Sequence, residues 1–154
     1  ARVDLSGYEG RLYQELSGGE QARVQLARAL AQVWEPTGPE GPRWLFLDEP
    51  VASLDVAHQL EVMEIAADYA RQGGGVIAVM HDLTLTALFA DRVVLLEAGR
   101  VAAEGPTEEV IRADRLARVY GCRIDVTTAG DPPRLIVTPV PERRGTMAET
   151  RAGG

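Results

Sequence analysis

Two adjacent carboxylates, Asp48 and Glu49, close a short apolar run that begins at Trp44. Phosphoryl transfer needs one group to hold a metal ion and another to orient the attacking water. Adjacent acids at a strand end can divide these tasks, because successive side chains point in different directions. Taken alone, an Asp-Glu pair is better explained as two solvated acids after a core strand. The pair is therefore a candidate site that needs support from the rest of the sequence.

A second candidate lies upstream, where Ser17 precedes Gly18, Gly19 and Glu20. The serine and the glutamate match a capping box, which predicts a helix beginning at Gly18. The unpaired N–H groups and the positive dipole at such a helix end form an anion site. For the Ser-Gly-Gly triplet alone, however, a capped helix without a ligand is the commoner explanation.

The elements that must position these residues alternate between helices and strands. The predicted helices are Gly18–Val33, Val56–Gln72, Leu83–Ala90 and one or two within Thr107–Tyr120, and the predicted strands and β-rich segments are Trp44–Leu47, Val76–Met80, Arg92–Glu97, Arg100–Ala103, Arg123–Thr128 and Arg134–Val140. The first two strands are expected to be buried on both faces, as in a parallel α/β sheet. The acidic pair would then lie at the carboxyl edge of that sheet, where ligands bind.

Composition limits the partners of this chain. Its 154 residues carry a formal net charge of −7, which gives no general attraction to nucleic acid. The single cysteine, Cys122, excludes an internal disulfide framework. All 16 basic residues are arginine. Without a lysine, the chain cannot contain a phosphate loop of the G-x-x-x-x-G-K-S/T kind.

Longer stretches around both candidates resemble the ABC-type ATPases. The signature motif of that family resembles Leu16–Gln21, and its Walker B strand with the catalytic glutamate resembles Trp44–Pro50. The D-loop of the family resembles Ala52–Asp55, and its switch-histidine region resembles Val79–Asp82. The motifs follow the order of the family. The resemblance implies an α/β P-loop NTPase fold of the ABC-ATPase type. The chain would hold the C-terminal part, with the signature helix and parallel core strands, and lack the N-terminal phosphate-loop half.

The resemblance also implies roles for individual residues. Asp48 is expected to act on Mg²⁺, Glu49 to polarise the hydrolytic water, and His81 to contact the terminal phosphate of ATP. Asp55 is expected at the interface between two subunits. His58 is left as an ordinary helix residue. The residues expected to contact ATP held by a second subunit are Ser17, Gly18, Gly19 and Glu20.

Further similarities narrow the family to haem-import ATPases, within the wider group of iron-chelate and cobalamin importers. They lie in His58 to Leu60, Gly73 to Gly75, Met80 to Leu83 and Val119 to Cys122. The cofactors implied are ATP and Mg²⁺. The partners implied are a second ATPase subunit in a head-to-tail homodimer, transmembrane permease subunits and, indirectly, a periplasmic binding protein. The implied location is peripheral, on the cytoplasmic side of the inner membrane. The residues themselves do not select haem, because an ATPase subunit does not contact the cargo.

The predicted organisation has three parts: residues 1–122 as the C-terminal part of the ATPase domain, 123–140 as a β-rich extension and 141–154 as a disordered tail. Two other functions stay open. The C-terminal half of a DNA-organising or repair ATPase would also lack the phosphate loop, although the acidic charge and the absence of heptads oppose it. The other is a truncated, non-catalytic dimerisation module. The isolated chain is expected to bind ATP negligibly.

Overall fold

The computed structural model describes residues 7–52 and 54–141. These residues contain five α-helices: α1 (Gly18–Gln32), α2 (Val56–Arg71), α3 (Leu83–Phe89), α4 (Thr107–Val110) and α5 (Ala113–Tyr120). They also contain eight strands: β1 (Thr37–Gly38), β2 (Gly41–Pro42), β3 (Trp44–Asp48), β4 (Gly75–Val79), β5 (Arg92–Glu97), β6 (Arg100–Pro106), β7 (Ile124–Ala129) and β8 (Arg134–Pro139). A short 3₁₀ helix covers Tyr13–Glu15.

The chain divides into two compact units, Ala1–Asp82 and Leu83–Gly154. In the first unit, β3 and β4 pair in parallel, with Leu45 opposite Val76 and Asp48 opposite Val79. Parallel neighbours need a long connection, which α2 supplies here. The carboxyl ends of β3 and β4 therefore meet at one edge of the sheet.

The prediction that these two strands are buried on both faces is wrong for the described chain. Leu45 is 2% exposed whereas Phe46 is 69% exposed, and Ile77 on the neighbouring strand is 47% exposed. The helix α2 packs against β4. In the described part of the unit, nothing covers the sheet face opposite α2, so the apolar side chains on that face are accessible to solvent. A continuous apolar run shows that a strand can be covered on both faces, but not what covers it.

The starts of both long helices carry the predicted caps. Ser17 caps α1 and Asp55 caps α2, each through a side-chain oxygen that accepts a hydrogen bond from the third helical N–H. The helix α2 ends before Gly73, whose φ of 94° continues the chain in the left-handed region. Along their length, α1 and α2 are joined by an ion pair, with Arg23 Nη1 3.9 Å from Glu61 Oε2.

In residues 83–141, the second unit contains two antiparallel hairpins and three short helices. The β5–β6 hairpin turns at Ala98 and Gly99, both with positive φ. The buried core contains Val93, Leu95, Val110, Ile111, Leu116, Ile124 and Val137. The last two residues come from β7 and β8, so the predicted extension shares this core. The predicted boundary at residue 122 stays a prediction, and the tail from residue 142 onward lies outside the described residues.

The predicted elements are confirmed in type and order, with small shifts at their ends. The segment from Thr107 to Tyr120 forms two helices, and the Pro/Gly loop from Glu35 to Pro42 contains a small hairpin, β1–β2, that the sequence did not indicate. Within residues 7–52 and 54–141, no helix is long and apolar enough to cross a membrane.

Candidate functional site

Asp48, Glu49 and His81 form what we call the acidic edge, at the carboxyl ends of β3 and β4. His81 Nε2 lies 2.7 Å from Glu49 Oε1. The backbone N–H of Glu49 donates to the carbonyl of Val79 at 3.1 Å, which extends the β3–β4 pairing past Asp48. The parallel pairing thus brings the predicted catalytic residues together.

The backbone of Glu49 is strained. Its φ of 46° is in the left-handed region, which a residue with a Cβ seldom adopts. The carbonyl of Glu49 accepts a hydrogen bond from the N–H of Ala52 at 3.1 Å, so a tight turn holds this conformation directly after the strand. Strained residues cluster at functional sites, where the surrounding structure maintains them. The strain is thus an observation independent of sequence similarity that favours a functional role for Glu49.

The hydrogen bond between Glu49 and His81 defines what each side chain can do. An ionised carboxylate only accepts hydrogen bonds, so His81 must carry its proton on Nε2 to make this contact. One carboxylate oxygen of Glu49 is then fixed, and the other is available to accept a proton from water. Both side chains are accessible, with 47% of Glu49 and 76% of His81 exposed. The predicted contact of His81 with phosphate stays a prediction.

Asp48 is exposed at the end of β3, beside this pair. In the described residues, no group of three or more His, Cys, Asp or Glu side chains could hold a metal ion by themselves. Mg²⁺ is usually bound through one or two carboxylates together with waters and substrate phosphates. The donors at the acidic edge fit that kind of shared site, and they do not fit an all-protein cage.

The second candidate site, which we call the glycine end, consists of Ser17, Gly18, Gly19 and Glu20 at the start of α1. The capping box is present: Glu20 N donates to Ser17 Oγ at 3.3 Å, and Ser17 N donates to Glu20 Oε2 at 2.6 Å. The hydroxyl of Tyr8 donates to Glu20 Oε1 at 2.6 Å. Hydrogen bonds from Tyr8 and Ser17 lower the pKa of Glu20 to about 2. Glu20 is therefore engaged within its own chain through both oxygens.

The two glycines of this end face different surroundings. A Cβ on Gly18 would meet no atom within 4 Å, so this residue opens to solvent. A Cβ on Gly19 would lie 3.7 Å from Leu54 Cδ2 and 3.9 Å from His58 Nδ1. By helix geometry, the first N–H groups of α1 have no carbonyl partner in a preceding turn. The open side at Gly18 is thus the side from which an anion can approach.

At the start of α2, Asp55 interacts with a residue to which the sequence gave no role. His58 N donates to Asp55 Oδ1 at 3.0 Å, and His58 Nδ1 lies 2.7 Å from Asp55 Oδ2. These hydrogen bonds from His58 lower the pKa of Asp55. The signal that could have found His58 is its place at the third helical position after an aspartate cap, the position used in capping boxes. The neighbouring D-loop residue Ser53 lies outside the described residues.

The fold that carries the acidic edge and the glycine end is also found in a solved ABC transporter structure. The fold agrees: the chain aligns with a solved structure described as an inward-facing conformation of a putative metal-chelate type ABC transporter, with a TM-score of 0.78 and 22% identity over 91% of this chain and 53% of that chain. The predicted fold class is confirmed.

Curated relatives define the similarity more narrowly. The chain is 67% identical over 129 residues to the hemin import ATP-binding protein HmuV of Jannaschia sp. (strain CCS1), covering 84% of this chain and 48% of the relative. It is 56% identical over 138 residues to the protein of the same name from Mesorhizobium japonicum, covering 88% and 52%. No protein-family model matches the chain. The predicted resemblance to ATP-binding subunits of haem importers is confirmed, and the chain spans about half the length of these relatives.

Proposed function

We propose that this chain is part of the ATP-hydrolysing subunit of an ABC importer that takes up hemin or a related iron compound. The observation that carries the proposal is the Glu49–His81 pair at 2.7 Å on the carboxyl edge of a parallel sheet. The cargo is inferred from relatives that are named for hemin import. The same relatives give no support to a DNA-organising ATPase.

The acidic edge would act on the terminal phosphate of ATP. Glu49, held on one side by His81, would accept a proton from the attacking water through its second oxygen. Asp48 would hold Mg²⁺ together with phosphate oxygens, and the ion would neutralise charge on those phosphates. His81 would keep the carboxylate in place. The strained turn at Glu49 supports this arrangement, because it fixes the backbone from which the carboxylate extends before any ligand binds.

The glycine end would serve a different nucleotide. Its open side at Gly18 presents a helix N-terminus to an anion, and Ser17 and Gly19 lie beside it. A chain without lysine lacks the usual anchor for the β- and γ-phosphates, so these residues alone would not retain ATP. We therefore assign the glycine end to ATP held by a second ATPase subunit, in a head-to-tail dimer with Asp55 at the interface.

The remaining partners follow from the importer class. The dimer would sit peripherally on the cytoplasmic side of the inner membrane, against transmembrane permease subunits, and a periplasmic binding protein would deliver the cargo to those subunits. Closure of the dimer around ATP would drive the permease between its states. By itself, the chain described here would bind ATP negligibly and hydrolyse none.

The test joins this chain to the remaining half of the Jannaschia relative and expresses the chimera with that importer's membrane subunits. Hemin uptake and ATP hydrolysis are measured against the native relative, with a chimera carrying Asp48→Asn and Glu49→Gln as the inactive control. We expect both activities in the first chimera and neither in the control. Hydrolysis stimulated by DNA, or an active control, would contradict the proposal.

A further inference from the structure

The imidazole of His58 lies between two parts of the candidate site. On one side, its Nδ1 is 2.7 Å from Asp55 Oδ2. On the other, the nearest atoms to a Cβ built on Gly19 include His58 Nδ1 at 3.9 Å and Cγ at 4.0 Å. The ring that holds the aspartate therefore faces Gly19 across a gap that a single methyl group would fill.

Helix capping does not require this ring. Asp55 caps α2 by accepting the backbone N–H of His58 at 3.0 Å, which every residue except proline can supply. The bond from Nδ1 to the second carboxylate oxygen is additional, and it fixes the tautomer. Because an ionised Asp55 can only accept, Nδ1 must carry the proton. The side chain of His58 is 32% exposed, so neighbouring residues cover most of the ring.

We propose that His58 is a positioning residue that couples Asp55 to the glycine end. Its ring holds the aspartate on one side and faces the start of α1 at Gly19 on the other, so that Asp55 is kept beside the glycine end where both reach the second subunit's nucleotide. This inference rests on the proposed function. The Arg23–Glu61 pair joins the same two helices further along, but at 3.9 Å and with Glu61 largely exposed it is a weaker connection.

Two substitutions separate the ring's hydrogen bond from the cap. In His58→Asn, the amide nitrogen occupies the place of Nδ1 and can still donate to Asp55. In His58→Gln, the amide reaches the place of Nε2 and the bond to Asp55 is lost. Both variants keep the backbone N–H that caps α2. Glu64→Gln on the same helix is a matched control, since Glu64 is exposed and pairs only with the exposed Arg71 among the described contacts.

These variants are compared in the full-length chimera described above. We expect His58→Gln to lower kcat about tenfold, with KM for ATP and Tm nearly unchanged. His58→Asn should stay within about twofold of the unsubstituted chimera, and Glu64→Gln should match it. Equal kcat values for His58→Gln and His58→Asn would overturn the inference. The inference would also be overturned if the Tm of His58→Gln fell far enough to explain its loss of kcat.

Hydrogen exchange at the amides of Gly18 to Glu20, measured on the same proteins, does not depend on turnover. We expect faster exchange in His58→Gln than in His58→Asn, because a side chain that is no longer held by Asp55 leaves the space beside Gly19 open to water. Identical exchange would count against His58 as a positioning residue even if the chimera hydrolysed ATP. Failure of the unsubstituted chimera to hydrolyse ATP would instead count against the proposed function, and the exchange comparison would still test the coupling.

Discussion

The acidic edge and the glycine end belong to the same unit of the chain but are assembled in different ways. The glycine end depends on near neighbours: Ser17 and Glu20 exchange two hydrogen bonds within one helical turn, and Tyr8 adds a third. The acidic edge depends on Glu49 and His81, which are 32 residues apart and meet only because β3 and β4 pair in parallel. The glycine end is thus formed mainly by contacts within its own segment, whereas the acidic edge forms only once the β3–β4 sheet is in place.

This difference bears on how the two ends respond to change. Substitutions at the acidic edge remove chemistry without touching the core, since all three of its side chains are exposed. At the glycine end, Ser17 and Glu20 also build the helix start, so changes there affect local folding as well as ligand contact. Variants at Glu49, His81 and Glu20 separate these two kinds of response.

The largest effect is expected from Glu49→Gln. The substitution keeps the size of the side chain but removes its ability to accept a proton from water. In the full-length chimera, kcat should fall by at least about 100-fold, while Mg-ATP still binds. Calorimetry and steady-state hydrolysis measure the two quantities. Glu40→Gln, at an exposed loop position of the same unit, is the control, and hydrolysis undiminished by Glu49→Gln would remove Glu49 from the base role.

A smaller effect is expected at His81, which holds Glu49 but does not itself take the proton. His81→Ala should lower kcat about tenfold, because the carboxylate loses the donor that fixes it. His81→Gln places an amide N–H near the position of Nε2 and should recover most of that loss. If the alanine and glutamine variants are equally impaired, the hydrogen bond to Glu49 is not the reason for the loss.

The smallest effect concerns stability at the glycine end. The pKa of Glu20 is lowered from its ordinary value of 4.5 to about 2, so its hydrogen bonds stabilise the folded chain fully above about pH 4.5. That stabilisation is lost as the pH falls through the folded value. Thermal unfolding of this chain and of its Glu20→Gln variant should therefore differ by a few degrees at neutral pH and converge near pH 2. A difference that does not depend on pH would show that the charge of Glu20 is not involved.

Local rules were enough to predict much of this chain from its sequence. The capping box at Ser17 and Glu20, the aspartate cap of α2 and the glycine stop after it all act within a few residues. The order of strands and helices then placed Asp48 and Glu49 at a carboxyl edge. These features do not depend on distant contacts, which is why the predictions agree with the structure.

Properties that depend on distant residues could not be predicted in the same way. The exposed face of β3, with Phe46 69% accessible, depends on what covers the sheet, and an apolar run does not specify that. The bond between His81 and Glu49 depends on the register of two strands. The role of His58 depends on the approach of α1 to α2 at Gly19. Each of these features is set by tertiary contacts.

The most direct test asks whether the two ends serve different nucleotides. Glu49→Gln disables the acidic edge. Gly18→Glu disables the glycine end, because it puts a carboxylate on the open side that an anion must approach, at a first-turn position where an acid suits the helix. Each variant alone should form inactive dimers in the full-length chimera.

When the two variants are mixed, a head-to-tail dimer with one copy of each contains one site with both defects and one with neither. Random mixing should therefore restore hydrolysis to about a quarter of the unsubstituted level. A mixture that stays as inactive as each variant alone would contradict the claim that the acidic edge and the glycine end are complementary halves of sites shared between two subunits.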